Sequence, residues 1–501
     1  MSVPLSTAAT KIYDLVVLGA GSGGLEAAWN SAVLHNAKVA VIEPQLRHGP
    51  PLFSALGGTC VNVGCIPKKL MYYAAEQRIS RDIFSGLGWK YSNDPVIDWT
   101  KMMEKKDAII SDINESYIGM FRDTKNLDLI QGWGVINSDA KSVRVYDSVP
   151  KNTDETSHML QTKHILISTG SWPFQPPFEG IEHTITSNEF FYLQEKPKKA
   201  VIVGGGYIAM EFLSMLNGLG VEETHLVYRG NLPLKGFDVS VRTELLRQLH
   251  ERKDMTLHLE DTIVSVSNGS SGKTVRTVNG KTLENVDCVI VCTGRRPRTA
   301  GIGLEDAGIS LDSDTGAVTV DNFNRTNVDR VWAVGDVTDR VSLTPVAIHE
   351  GRCVADSMFG SSLQSIDHRC IPKAVFSIPS IACVGLTEEE VIAQKIDAEV
   401  YMTKFTPLKY NAIPEGNTLH KAVIKMIVRK ADKVVIGVHM LESSASEAIQ
   451  SVAVCIRMQA KISDFYSTIG LHPSSAEELC SMREPSYFLI QGKKCDTVAD
   501  Q

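Results

Sequence analysis

Two glycine-rich turns, each lying between strand-forming and helix-forming residues, constrain this 501-residue chain more than any other feature. Residues 13–18 are an apolar run rich in β-branched side chains. Gly19-Ala20-Gly21-Ser22-Gly23-Gly24 follows, then a helical stretch through Leu34 and a second apolar run that ends at Glu43. The order is strand, Gly-x-Gly-x-x-Gly, helix, strand, acid. Gly19 permits the tight turn, Gly21 lets backbone approach a pyrophosphate, and Gly24 lets the helix pack on the strand. From Ser22 onward, unpaired N–H groups at the helix start face the anion. Glu43 stands where a carboxylate takes both ribose hydroxyls.

The pattern returns after the run 200–203 as Gly204-Gly205-Gly206-Tyr207-Ile208-Ala209, with Ala209 at the third, tolerant position. The next strand, 225–228, ends in Arg229 rather than an acid, and Lys235 lies a little further on. A carboxylate there would repel a 2′-phosphate, whereas a guanidinium binds it through charge-assisted hydrogen bonds. NADPH is therefore expected at the second site; the alternative is that Arg229 and Lys235 are solvated loop charges. Two such units in tandem suggest one cofactor that stays, FAD, and one that visits to deliver hydride.

Ten cysteines are spread at ordinary density, which excludes a disulfide-stapled secreted scaffold. One close pair stands out, Cys60-Val61-Asn62-Val63-Gly64-Cys65, in a Gly-rich approach to a helix that carries Lys68. A helix N-terminus and a nearby lysine lower a thiol's pKa, as an exchanging dithiol requires. No second ligand pair has the spacing of a metal site. Cys288 and Cys292 flank an apolar run and read as a buried strand. The net charge of −7 gives no support to a nucleic-acid partner. No apolar run reaches the roughly 18 residues of a membrane helix, and no signal peptide is visible. Residues 1–10 read as a frayed extension, and the cytoplasm is the expected compartment.

Gly57-Gly58-Thr59-Cys60 through Lys68 resembles the redox segment of the glutathione reductase family of flavoprotein disulfide reductases. Further landmarks follow in family order: 168–173 (Ser-Thr-Gly-Ser-Trp-Pro), 292–297 (Cys-Thr-Gly-Arg-Arg-Pro), 333–337 (Ala-Val-Gly-Asp-Val), 343–347 and His472-Pro473-Ser474-Ser475-Ala476-Glu477-Glu478. The resemblance implies an α/β fold with two Rossmann-like domains, for FAD and NADPH, plus an α+β interface domain. It divides the chain at 1–168, 169–296, 297–368 and 369–501, with the FAD domain in two parts. Cys60 would attack the substrate and Cys65 would lie against the flavin. Lys68 would pair with Glu211 near the flavin ring. Thr59, Gly134, Thr169, Asp336 and Thr344 would contact FAD. Tyr207 and Arg296 would contact NADPH. His472 and Glu477 would form an acid/base dyad that reaches the dithiol of the other subunit of a homodimer. The residues leave a second reading open for Glu477: Ser474-x-x-Glu477 also fits a capping box that merely closes a helix start.

Within the family, the segment His48–Leu56 resembles trypanothione-reducing members and is missing from glutathione-reducing ones. Trypanothione, a spermidine conjugate of two glutathiones, is cationic. Glu26 would supply negative charge, and Trp29 and Met120 an apolar wall with cation–π attraction from the indole. Ser116, Tyr117, Phe405, Pro407, Leu408 and Glu478 would complete that site. Taken singly, Glu26 reads rather as a solvated helix charge and Trp29 and Met120 as core; together with the His48–Leu56 segment they read as a substrate wall. Arg352 does not fit, because glutathione reductases carry an arginine there that faces substrate carboxylates. Glutathione disulfide is thus the alternative substrate, and a non-catalytic redox sensor the alternative of a different class.

Overall fold

The computed structural model describes residues 12–50, 52–53, 55–150, 157–413 and 420–496. The extension 1–10, Pro51 and Ser54 of the 48–56 segment, and most of the polar stretch 150–158 lie outside the described residues.

The first glycine fingerprint joins the strand Ile12–Leu18 to the helix Ser22–Val33. That strand is central in a sheet ordered 127–131, 39–43, 12–18, 157–167, 142–146, 133–136, with Val331–Ala333 added beside 157–167. Strands 127–131, 39–43, 12–18 and 157–167 run parallel. Val16 and Leu18 enter one core cluster and Leu15 and Val17 another, so both faces are covered. This is why the strand reads as a continuous apolar run rather than an alternating one. The second fingerprint joins Lys199–Val203 to the helix Tyr207–Gly218, in a four-stranded parallel sheet ordered 255–259, 223–228, 199–203, 288–291. A two-stranded ribbon, Ser171–Pro173 against Arg295–Pro297, crosses between these units.

The remaining sheet has seven strands, all antiparallel, in the order 373–375, 381–385, 435–441, 422–429, 398–405, 487–490, 493–495. The helix Ala445–Arg457 packs on it. The fold is therefore the expected α/β class with a third, α+β unit.

The polar stretch 267–273 is the exposed turn of a hairpin between Ile263–Gly269 and Gly272–Thr277. After Ser474 the chain forms a 3-10 turn, Ser475–Glu477, and then a short helix, Glu478–Ser481. Cys288 and Cys292 are buried, as read, and burial raises both thiol pKa values. Among the described residues no helix is long and apolar enough to cross a membrane.

The unit that carries the first fingerprint is built from distant parts of the chain. The helix Thr344–Phe359 lies across Ser22–Val33, and their backbones meet at glycines. A Cβ on Gly351 would stand 2.5 Å from the Gly23 carbonyl oxygen. Only glycine permits that approach, and it fixes which side chains of the two helices become neighbours.

Candidate active site

At Gly19, φ is +97°, and a Cβ would meet the Ser168 carbonyl oxygen at 2.6 Å. A Cβ on Gly24 would sit 2.2 Å from the Gly19 oxygen, so helix and strand pack as the fingerprint requires. A Cβ on Gly21, by contrast, would have only the Gly58 Cα nearby, at 3.9 Å. Gly21 instead borders a cleft enclosing about 1050 Å³, part of it open to solvent. Ser22, Glu43, Thr59, Gly134, Thr169, Asp336 and Thr344 line this same cleft, and so does Cys60. Glu43 accepts the Ala20 N–H at 2.8 Å, and burial pushes its carboxyl up to about 7.

The dithiol lies where the helical path breaks. Gly58–Val63 is one short helix, and Cys65 starts the next, Cys65–Gly86. The break is at Gly64, where a Cβ would press to 2.8 Å on the Thr59 oxygen. Cys65 is thereby set at a helix N-terminus among unpaired N–H groups, while Pro67 falls in the first turn, where its missing N–H costs nothing. The two thiols are polarised in opposite senses. A hydrogen bond from Cys60, with help from Thr344 and the Lys68 charge, lowers Cys65 to about 6 despite its burial. The same bond and burial raise Cys60. Cys65 Sγ lies 3.6 Å from Thr344 Oγ1. As a residue Cys65 keeps exposed surface, and its neighbours Cys60 and Thr344 line the cleft. Lys68 Nζ binds Glu211 Oε1 at 2.9 Å, and Glu211 is held by the Phe376 N–H at 2.9 Å.

At the second fingerprint Gly204 has φ +132°, and a Cβ there would lie 2.3 Å from the Cys292 oxygen. Gly206 has nothing near its missing Cβ, Ala209 is fully buried, and Tyr207 opens the helix with part of its ring exposed. Arg229 and Lys235 are exposed, and among the described residues neither side chain has a hydrogen-bond or ion-pair partner. Arg296 stacks its guanidinium 4.0 Å from the Phe174 ring centre.

His472 and Glu477 do meet: Nδ1 is 3.1 Å from both carboxylate oxygens. Glu477 also accepts the Ser474 N–H at 3.3 Å, so the capping role and the dyad geometry coexist. The His472 side chain is 81% exposed, which leaves Nε2 free. Among the described residues no hydrogen bond, ion pair or ring contact joins His472, Glu477 or Glu478 to the dithiol. Glu478 accepts a bond from Ser481 at 2.8 Å. Phe405 packs against the third unit's core, Pro407 is buried and Leu408 is exposed.

On the dithiol side, Tyr117 lies against Gly57, whose added Cβ would be 3.0 Å from the ring. Trp29 is exposed rather than core, Met120 is half-buried against the core, and Ser116 is exposed. Glu26 is not a free charge. Its Oε1 lies 2.5 Å from Arg352 Nε.

A family model for pyridine nucleotide-disulphide oxidoreductases matches residues 13–351. The chain belongs to that family. The family's dimerisation-domain model matches residues 371–483. A trypanothione reductase of Trypanosoma congolense is 46% identical over 98% of this chain and 99% of its own. A glutathione reductase of Burkholderia cepacia is 37% identical, covering 94% and 98%. The solved structure of the HOCl-induced flavoprotein disulfide reductase RclA from Escherichia coli aligns with TM-score 0.80 at 27% identity, covering 94% of this chain and 99% of that one. These oxidoreductases use FAD and NAD(P)H, and the cleft fits FAD. Its glycine-lined wall, open at Gly21, leads to Glu43 and also reaches Cys60.

Three residues at or next to this oxidoreductase's cleft escaped sequence reasoning; Ser171 and Arg298 line it and Arg295 stands behind Ser171. Ser171 donates to Asp336 Oδ2 at 2.7 Å, and Arg295 Nε donates to Ser171 Oγ at 2.7 Å. Arg295 also reaches Thr59 Oγ1 at 3.3 Å, tying the crossing ribbon to the dithiol helix. Arg298 stacks over Trp172 at 4.7 Å and acts electrostatically on Glu43. The only sequence signal was that Ser171 and Arg295 fall in the landmarks 168–173 and 292–297; Arg298 lies just past the second.

Proposed function

We propose that this oxidoreductase uses NADPH to reduce trypanothione disulfide to its dithiol, maintaining thiol redox balance in the cytoplasm. It would act as a homodimer whose active sites are shared between subunits. The division at residues 168, 296 and 368 belongs to the same reading, and the crossing ribbon at 171–173 and 295–297 supports its first two boundaries. The observation that carries the substrate is the helix Ser22–Val33, which bears Glu26 and exposed Trp29 and whose start pairs at Gly21 with Gly57, where Tyr117 packs at the start of the Cys60 helix. A cationic polyamine suits an acid and an indole face. The 46% identity to a trypanothione reductase supports the same choice.

The chemistry that FAD supplies when bound is an electron pair, taken as hydride from NADPH, that opens the Cys60–Cys65 disulfide. In the reduced pair the proton resides on Cys60 and the negative charge on Cys65, because the Cys60 S–H donates to the Cys65 thiolate. Cys60 therefore needs a base in order to attack. His472 Nε2 of the partner subunit takes that proton, while Glu477 holds its Nδ1 and stabilises the imidazolium. Cys60 forms a mixed disulfide with one substrate sulfur, and the imidazolium protonates the sulfur that leaves. The Cys65 thiolate then attacks Cys60 Sγ. This expels the second substrate sulfur, which takes a proton from solvent, and restores the protein disulfide. Ile469, Leu471, Met458 and Val454, all strongly exposed in the third unit, provide apolar surface for the subunit contact.

Steady-state rates with trypanothione disulfide and glutathione disulfide test this reading. A higher kcat/KM for glutathione disulfide would sink the substrate assignment. That second reading is favoured by one observation, Arg352 beside Glu26. At the nucleotide site, Arg229→Ala will raise the KM for NADPH about 10- to 100-fold, the loss of a charged hydrogen-bond partner. The KM for NADH will hardly change. An equal effect on both nucleotides would show that Arg229 is a solvated loop charge.

A further inference from the structure

A second cavity lies behind the dithiol helix, away from the cleft already described. It encloses about 760 Å³, part of it open to solvent, a size usual for small-molecule sites, which run to roughly 300–1,000 Å³. Three parts of the chain form its walls. Ala75, Arg78, Ile79 and Asp82 come from the helix Cys65–Gly86. Asn217 and Gly218 end the helix Tyr207–Gly218, and Gln248 and Arg252 lie at the close of the helix Val239–His250 and just past it. Ile378 and His420 come from the third unit. The first two helices touch there: a Cβ on Gly218 would stand 2.6 Å from the Ala75 carbonyl oxygen. Arg78 stands about 20 Å along its helix from Cys65, at 1.5 Å per residue.

The charges on this wall do not balance. Two guanidiniums converge on Asn217: Arg78 Nη1 donates to its carbonyl oxygen at 2.9 Å, and Arg252 Nη1 to its Oδ1 at 2.9 Å. Arg78 also pairs with Asp254 at 2.7 Å. The other two acids on the wall are engaged elsewhere, Asp82 with Arg81 and Glu251 with Arg247. Among the described residues Arg252 has no carboxylate within ion-pair distance; its second partner is the neutral Ile378 carbonyl, at 3.3 Å. Burial lowers the Arg252 pKa, and the Arg78 charge adds to this, against the pull of Asp254. An enclosed cation without a counter-ion is costly, and an anion that reaches it gains accordingly.

Two amides on the same wall are also incomplete. Asn217 and Gln248 are 1% and 5% exposed, and Asn217 Nδ2 and Gln248 Oε1 have no hydrogen-bond partner among the described residues. Buried polar atoms are nearly always paired. A donor beside two guanidiniums suits an anionic oxygen. An acceptor nearby suits a hydroxyl or ammonium group on the same molecule.

We propose that this junction is a ligand site of its own, for a small polar anion: a phosphate or carboxylate that also carries a hydrogen-bond donor. Arg252 is the anchoring cation, with Arg78 beside it and Asn217 between them. A bound anion joins all three walls, so it stabilises their arrangement by mass action. The site is separate from the dithiol cleft and does not depend on which disulfide is reduced.

The test is thermal unfolding of the flavin-loaded dimer against inorganic phosphate, malate and, at matched ionic strength, sodium chloride. All chains carry Arg229→Ala, which removes a phosphate partner at the nucleotide site. The midpoint will rise with the logarithm of phosphate or malate concentration and not with chloride. The larger rise of the two identifies the ligand's charged group as phosphoryl or carboxylate. Adding Arg252→Met will weaken binding of that anion about 10-fold or more in a calorimetric titration, the loss of a charged hydrogen bond. Adding Asn217→Asp instead leaves Arg252 in place but gives it a carboxylate, and will weaken binding as much. Either variant decides the matter if the other fails to load flavin. A rise no greater with phosphate or malate than with chloride overturns the site, and so does undiminished binding in a folded variant.

Discussion

A mixture of Cys60→Ser chains and His472→Ala chains, refolded or coexpressed together, will reduce trypanothione disulfide far faster than either variant alone. His472 is held by Glu477 with its outer nitrogen free and its side chain 81% exposed. Nothing among the described residues connects it to the dithiol of its own chain. If the base reaches Cys60 across a two-fold interface, a mixed dimer carries one site with both groups intact and one with neither. Random pairing makes half the dimers mixed, so recovery approaches about a quarter of wild-type activity. The His472→Ala homodimer will be about 10²- to 10⁴-fold slower than wild type, the usual contribution of a positioned acid–base group. Failure to complement, with mixed dimers shown to be present, would place base and dithiol within one chain. Nothing in the described residues gives that arrangement a contact.

Cys60→Ser alone will cost about 10³-fold or more in disulfide reduction, because no other group can form the mixed disulfide. It will leave a reactive thiolate behind. Cys65 is lowered to about 6 chiefly by the hydrogen bond from Cys60, and a serine hydroxyl can still donate there. Alkylation of Cys65 by iodoacetamide will therefore run near its plateau at pH 7 and decline as pH falls through about 6, where the thiolate takes up a proton. Cys60→Ala removes the donor. Its alkylation midpoint will move up toward the ordinary thiol range. Equal midpoints in the serine and alanine variants would mean that the helix terminus and Lys68 hold the thiolate unaided.

The parts of this molecule that were legible in its sequence share a physical property: they are enforced locally. Gly24 must be glycine because a Cβ would strike the Gly19 carbonyl in its own turn, and Gly19 and Gly204 take φ of +97° and +132° within theirs. The run 13–18 could be read as strand because core covers both of its faces. What could not be read depends on segments that only the finished fold brings together. Arg295 and Ser171 meet through a ribbon pairing distant stretches, and Arg352 meets Glu26 through a helix crossing. Sequence alone registered Arg352 as a residue out of place. The crossing turned it into the partner of the acid that it seemed to contradict. At Glu477 the two readings posed as alternatives proved compatible, since one carboxylate serves both the Ser474 N–H and the imidazole.

The meeting of Gly23 with Gly351 also bears on how the chain is made. The first nucleotide unit cannot close until Val331–Ala333 has joined its sheet and Thr344–Phe359 has covered its first helix. The second unit's parallel sheet needs only residues 199–291. During synthesis at roughly 5–20 residues per second, the opening strands wait on the order of tens of seconds for their closing pieces, with apolar faces uncovered. The second unit has every strand it requires well before then. Although it begins later, it is the one expected to fold first, and the N-terminal strands are where a nascent chain of this protein most needs a chaperone.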